Sequence, residues 1–175
     1  SQAYGAQNYD LLNISLQRAV IILFTTCIPL SITWLFSRDL MIMLGQSVGI
    51  SELASDYLLW LIPGLFFYAY AVCLQNWLNS QQLNEPTVTV GVISATLHPL
   101  WCYLLIYRFQ LGYIGAAISL SCTRLLEAIL LTLYLLFFYK FQTPFILSRK
   151  ACYYWTAYLK LGIPNVLMNS QWWAE

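Results

Sequence analysis

The chain has 175 residues, of which 60% are hydrophobic and 9% charged, with a formal net charge of +1. Soluble domains carry about 25% charged residues, so a soluble globular protein is excluded, and without a basic stripe to neutralise phosphates there is no nucleic-acid partner. The five cysteines, Cys27, Cys73, Cys102, Cys122 and Cys152, form no CxxC pair, and four fall in apolar runs where a thiol is a small packing residue, so neither a metal centre nor a disulfide framework is expected.

Residues 1–18 are polar and lead into a first apolar run, Ala19 to Phe36. Further runs extend from Tyr57 to Leu78, from Thr87 to Tyr107 and from Leu111 to Tyr139, and only the last contains charge, at Arg124 and Glu127. A hydrocarbon core needs about 20 residues of apolar helix. Lipid satisfies no open backbone groups, so only helices or closed barrels span, and these runs lack the two-residue alternation of a barrel strand. Helical spans are therefore predicted over 19–36, 57–78, 87–107 and 113–139, with 157–175 opening a fifth. The fold class is all-α, a polytopic transmembrane helical bundle, with residues 1–175 forming a single incomplete membrane domain. The protein is an integral, multi-pass membrane protein whose first partner is the lipid bilayer.

Between the first two runs, 37–56 reads as a connection with a short apolar stretch, Leu40 to Leu44, and a helix start at Ser51 and Glu52. Asn79 to Pro86 is a tight link with Pro86 at a helix entry. Arg108 to Gly112 is tighter, and Gln142 to Tyr154 is a longer polar connection. Four crossings place Arg18, Lys140, Arg149, Lys150 and Lys160 on one side and Arg38 and Arg108 on the other, and the positive-inside rule assigns the first side to the cytoplasm. Ser1 is not an initiator Met and follows no signal pattern, while Leu161 to Glu175 stops short of a full span. The chain is thus expected to be a piece of a longer one and unable to transport alone.

Pro29, Pro63 and Pro99 each sit in a run, with Pro164 in the partial one. Proline breaks an i→i−4 bond and kinks a helix. Membrane helices contain more of it than soluble ones, yet one in three of the four full runs favours the hinges of a rocking transporter. Arg124 and Glu127 are three residues apart on one helix face and can pair. A charge at this depth costs about 2.5–3.5 kcal/mol on insertion scales and faces a cavity or another buried group, so the pair either locks helices together or faces a substrate or ion. His98, the single histidine, is first a hydrogen-bonded packing residue and second a proton carrier. Asn76, Asn79, Gln81 and Gln82 form a polar cuff at the cytoplasmic end of the second run, which is also how a solvated helix end looks. No HExxH, phosphate loop or acid pair beside a nucleophile is present, so the protein is not expected to be an enzyme.

Several phrases resemble the multidrug and toxic compound extrusion (MATE) transporters, the eukaryotic branch in particular. Ser1-Gln2-Ala3-Tyr4-Gly5-Ala6 is similar to the end of the family's second helix, and Leu16-Gln17-Arg18-Ala19 with Cys27-Ile28-Pro29-Leu30 to its third. Trp60-Leu61-Ile62-Pro63-Gly64-Leu65-Phe66 resembles the fourth and Leu97-His98-Pro99-Leu100 the fifth. Leu111-Gly112, Gly115-Ala116-Ala117, Ser119 and Ser121 resemble the start of the sixth. Tyr158-Leu159-Lys160-Leu161-Gly162-Ile163-Pro164 and Trp172-Trp173 resemble the seventh. The phrases fall in the family's order over essentially the whole chain.

The resemblance implies about twelve spans in two six-helix lobes, this chain being part of the N-terminal lobe and the second lobe its missing partner. It implies an antiporter that exports small organic, often cationic, compounds in exchange for protons or sodium, with no other cofactor. The alternatives are a lipid or polyisoprenoid flippase of the same superfamily and, from another class, a membrane-embedded enzyme or receptor. The sequence departs from the family at the seventh helix, where a motif of Glu-Trp-Trp followed by a second Glu carries the acids implicated in coupling. Gln171 stands at the first Glu and cannot carry a proton, while Glu175 falls one position before the second. The fourth helix also departs, matching only at Leu78 and Gln81, and Arg124 and Glu127 are unusual in the sixth. The substrate or ion pathway is accordingly sought among Glu127, Arg124, Gln171, Glu175, Gln81, Asn76 and His98, with Glu127 expected to matter more to transport than Gln171.

Overall fold

A computed structural model describes residues 9–138. Helix α1 runs over Tyr9–Leu35, the short α2 over Ser37–Met43, α3 over Val48–Ser80, α4 over Glu85–Cys102 and α5 over Gly112–Phe137; a π-helical turn, Tyr103–Arg108, extends α4. There is no strand among the described residues. Four stretches have the length and composition to cross a membrane: Leu12–Leu35, Val48–Ser80, Glu85–Arg108 and Gly112–Phe137. The expected segment 157–175, the connection Gln142 to Tyr154, and the sites Gln171 and Glu175 lie outside the described residues.

Two boundaries differ from the sequence expectation, and both for packing reasons. Helix α1 is already formed at Tyr9 rather than beginning at Ala19. Leu12 and Leu16, one turn apart, are buried in the apolar cluster with Leu74, Trp77 and Leu78 of α3 and Leu131 and Leu135 of α5, so the helix is held beyond its most hydrophobic stretch. The start of α3 lies not at Ser51 but at Val48, after Ser47 in extended conformation (φ −65°, ψ 144°). Ser51 is inside the helix, where its hydroxyl donates back to the Ser47 carbonyl at 2.9 Å. At 33 residues and about 1.5 Å per residue, α3 is longer than a hydrocarbon core of about 30 Å. Its first turns carry Glu52 and Asp56; Glu52 accepts from Arg38 of α2 at 3.0 Å and ties the two helices together.

The link between α3 and α4 closes by a Schellman arrangement. Gln82 adopts a left-handed φ of 63°; its N–H donates to the Asn79 carbonyl, and that of Leu83 to Leu78, at 3.0 and 3.1 Å. Leu83 then packs against the apolar cluster.

Helix α5 lies between α3 and α4. Against α3 it runs parallel, shown by Tyr113 donating to Asp56 at 3.2 Å, by the Ser121 hydroxyl, shared between the Ala117 and Trp60 carbonyls at 3.1 and 3.2 Å, and by Thr132 Oγ1 lying 3.2 Å from the Tyr70 hydroxyl. Against α4 it runs antiparallel, as the partners described below require. Small residues set the spacing, as in other membrane bundles. A Cβ on Gly64 would stand 2.6 Å from Ser121 Oγ and 3.1 Å from its Cα, so the two helices touch through backbone there. Pro63, just before it, removes an N–H from α3, and the Ser121 hydroxyl supplies a donor to the neighbouring Trp60 carbonyl. At the other interface, a Cβ on Gly115 would lie 2.9 Å from the Leu105 carbonyl oxygen of the π turn.

Gly64→Ala is expected to destabilise the full-length protein by about 1–3 kcal/mol, the usual cost of overpacking, lowering its melting temperature in detergent. Gly49→Ala, at a glycine with nothing within 4 Å of the added methyl, should leave that temperature unchanged or raised.

Candidate transport pathway

The polar residues of the spans concentrate on α5. Arg124 Nη1 donates to Glu127 Oε2 at 2.9 Å, closing the i,i+3 pair. The guanidinium also lies over the Tyr68 ring of α3, 4.8 Å from Cζ to the centroid. Such a stack is worth about 0.5–1 kcal/mol at exposed sites and more when desolvated. Glu127 is 8% exposed, whereas the Arg124 side chain keeps 34% of its surface open. The anion is therefore buried and its cation reaches outward across α3.

A second group of polar atoms joins α5 to α4. His98 Nδ1 is 2.9 Å from Thr123 Oγ1. His98 Nε2 is 3.5 Å from Cys102 Sγ, and that sulfur is 3.3 Å from Ser119 Oγ. Pairing of 98 with 123 and 102 with 119 fixes the antiparallel register: each step of four along α4 is a step of four back along α5. The same register sets Ser94 opposite Glu127 and Val90 opposite Leu131, and the last two indeed belong to one apolar cluster. Ser94 is 1% exposed, and its hydroxyl has no hydrogen-bond partner among the described residues.

The structure thus brings together three of the expected site residues, Arg124, Glu127 and His98, along two faces of one helix. It separates Gln81 and Asn76 from them. Gln81 caps α3 and its Nε2 donates to the Trp77 carbonyl at 3.2 Å, a helix-end role. Asn76 is exposed. Asn79 of the same cuff accepts from Thr87 at 3.4 Å across the link. Thr123 and Tyr68 carry no expectation from sequence, and Cys102 and Ser119 are expected there only as a packing residue and as part of the resemblance to the sixth helix. The signal for Thr123, Cys102 and Ser119 was present: 94, 98 and 102, like 119, 123 and 127, are spaced by four and share a helix face. Cys102 departs from the inert packing role expected of it, because its sulfur has two polar neighbours. The arrangement offers a buried carboxylate whose cationic partner is stacked on an aromatic ring, and an imidazole held between a hydroxyl and a thiol.

The model of the MatE family matches residues 1–104 of the chain. Among curated relatives, Protein DETOXIFICATION 16 of Arabidopsis thaliana is 34% identical over 168 residues, covering 95% of this chain and 35% of its own. Protein DETOXIFICATION 14 of the same plant is 31% identical over 175 residues, covering 99% and 36%. The crystal structure of the eukaryotic MATE transporter AtDTX14 matches with a TM-score of 0.87 and 32% identity, over 93% of this chain and 37% of that one. The chain spans about a third of the length of these relatives. On the family match and the shared fold together, this chain belongs to the MATE family of membrane transporters.

Proposed function

We propose that the protein containing this chain is a secondary active antiporter that exports small organic, cationic compounds in exchange for protons or sodium. The observation that carries this reading is the fold: the chain superposes over 93% of its length on part of a eukaryotic MATE transporter. The site chemistry agrees with it. A buried carboxylate, Glu127, and a half-exposed aromatic ring, Tyr68, both now engaged by the Arg124 guanidinium, are groups that an organic cation could share. A flippase would need a strongly cationic cavity for lipid phosphates, and Arg124, already paired with Glu127, is the single Lys or Arg within the described parts of the four runs. The second lobe is the partner that completes the passage, and the five-to-two distribution of Lys and Arg sets the cytoplasmic side as the one bearing 79–86.

The test is made on the full-length protein in proteoliposomes. An outward-directed proton or sodium gradient should drive uptake of tetraethylammonium well above the rate without a gradient. If neither gradient drives uptake and preloaded substrate gives no counterflow, the antiporter reading fails.

Topology is checked with single cysteines introduced at Ser47 and Ser148 and a membrane-impermeant maleimide on intact cells. Ser47→Cys should be labelled and Ser148→Cys protected; the opposite pattern would invert the orientation.

Breaking a buried ion pair costs about 3–5 kcal/mol because it leaves one charge unmatched, and the openness of Arg124 should put this pair at the lower end. Glu127→Gln should lower protein abundance, and Glu127→Gln with Arg124→Leu should restore it. Transport per molecule is expected to stay depressed in the double variant. Full recovery of both quantities would make the pair purely structural.

A further inference from the structure

The hydrogens around His98 can be placed by counting donors. Thr123 Oγ1 donates to the Ser119 carbonyl at 2.9 Å, and Ser119 Oγ donates to the Ala116 carbonyl at 2.8 Å. Each hydroxyl has one hydrogen; spent on the carbonyls of their own helix, those hydrogens leave both oxygens with lone pairs toward α4. Facing a lone pair on Thr123 at 2.9 Å, His98 Nδ1 is the N–H donor. In the neutral imidazole Nε2 then carries the lone pair, and the Cys102 S–H donates to it across 3.5 Å. That leaves Ser119 Oγ, 3.3 Å from the same sulfur, as an acceptor that the neutral form does not use.

When Nε2 gains a proton it becomes a donor to Cys102 Sγ, and the thiol hydrogen turns to Ser119 Oγ. Every polar atom keeps a partner in both states, with heavy atoms unmoved. A histidine serving packing alone needs one such set; this one has two. We propose that His98 is the residue that takes up and releases the coupling proton in this lobe, with Cys102 and Ser119 positioning its second nitrogen in either state. The inference deepens the antiporter reading and rests on it, naming the proton as the exchanged ion. The proton comes from water on one side and leaves to the other; one N–H bond forms and breaks, and no electrons are transferred. An imidazole ordinarily titrates between pH 5 and 8, as such a role requires.

The charged groups that face His98 are few. On α5 they are Arg124 and Glu127, adjacent to Thr123 and one turn beyond it, a pair of zero net charge. On α4 itself the titratable neighbour is Cys102. The charges at the ends of that span, Glu85 and Arg108, are 13 and 10 residues away, about 20 and 15 Å along a helix. On α3, Tyr68 lies beneath Arg124. Ser94, buried without a partner between His98 and Glu127 in the register, marks the same seam as polar and incompletely bonded. A proton on His98 and an organic cation beside Glu127 and Tyr68 would sit within a few turns of each other in low dielectric, where like charges repel strongly. Each would therefore weaken the other's binding, and by linkage the effect is reciprocal, which is the condition for exchange.

The experiment uses full-length protein in proteoliposomes with two assays, tetraethylammonium uptake driven by a proton gradient and tetraethylammonium counterflow without one. His98→Gln keeps a polar side chain but cannot titrate. It should lose gradient-driven uptake at least tenfold and retain counterflow. Cys102→Val, which can neither donate to His98 Nε2 nor accept from it, should shift the pH profile of uptake. If His98→Gln also loses counterflow, His98→Glu decides: recovered gradient-driven uptake with an altered pH profile supports the proposal, and no recovery overturns it. Gradient-driven uptake by His98→Gln at the wild-type rate overturns it, as does a wild-type protein driven by sodium and indifferent to protons. In both of those cases the antiporter reading stands, while failure of wild-type counterflow would remove that reading itself.

Discussion

Hydrocarbon offers no hydrogen-bond partner, so a polar atom at membrane depth must find one on a neighbouring helix. In this chain that requirement falls on α5, which carries Ser119, Ser121, Thr123, Arg124, Glu127 and Thr132 within four turns. Ser121, Arg124 and Thr132 reach α3. Ser119 and Thr123 reach α4. The other helices are arranged around these contacts: α3 parallel to α5 and close at Gly64, α4 antiparallel in a register fixed by His98 and Cys102.

This placement has a mechanical consequence. The α3 interface has a proline-weakened segment at Pro63 braced by Ser121, and α4 has one at Pro99 directly beside His98. The contacts of Ser121, Ser119 and Thr123 are thus each within a turn of a proline on the neighbouring helix. Bonds exchanged at His98 and movement of α4 about Pro99 concern the same few atoms. The buried apolar cluster, by contrast, lies toward the end shared by Leu16, Trp77, Leu78, Val90 and Leu135, where the proline present, Pro86, stands at a helix entry and interrupts no intrahelical bond. One end of the assembly is fastened and the polar middle is where hydrogen bonds can change.

The spans were legible because lipid enforces length and apolarity, and Glu127 with Arg124 because an i,i+3 pair lies within one helix. The start of α3 was not. Ser51 and Glu52 look like a helix entry, but Ser47 holds the extended backbone and Ser51 bonds back to it, a choice made by the turn after α2 rather than by local composition. The join of His98 with Thr123 and of Cys102 with Ser119 was also hidden. Spacing along one helix is readable, but register between two depends on the loop that connects them, and a π turn that adds a residue per turn displaces it. Here that turn, Tyr103–Arg108, sits between the two strings of polar residues. Gln81 stands at the end of α3, where its amide donates to the Trp77 carbonyl, a placement that a polar cuff at a helix end already suggests.

The proton exchange proposed above needs a group whose charge changes, and within this chain the departures of the sequence bear on which residue could be that group. Gln171 replaces the acid that the family carries in its seventh helix, and an amide does not titrate in the physiological range. Glu127 remains among the described residues, and Arg124 already engages it at 2.9 Å. A carboxylate in a standing ion pair is suited to attracting a cation rather than to trading a proton. His98 is differently placed: its partners are neutral, and between them they offer a lone pair and a hydrogen at the same nitrogen. The constant charge and the variable one are then different residues on adjoining faces of α5, close enough for one to sense the other. An acid that both attracts the cation and trades protons must meet both demands with one affinity; two residues can meet them separately.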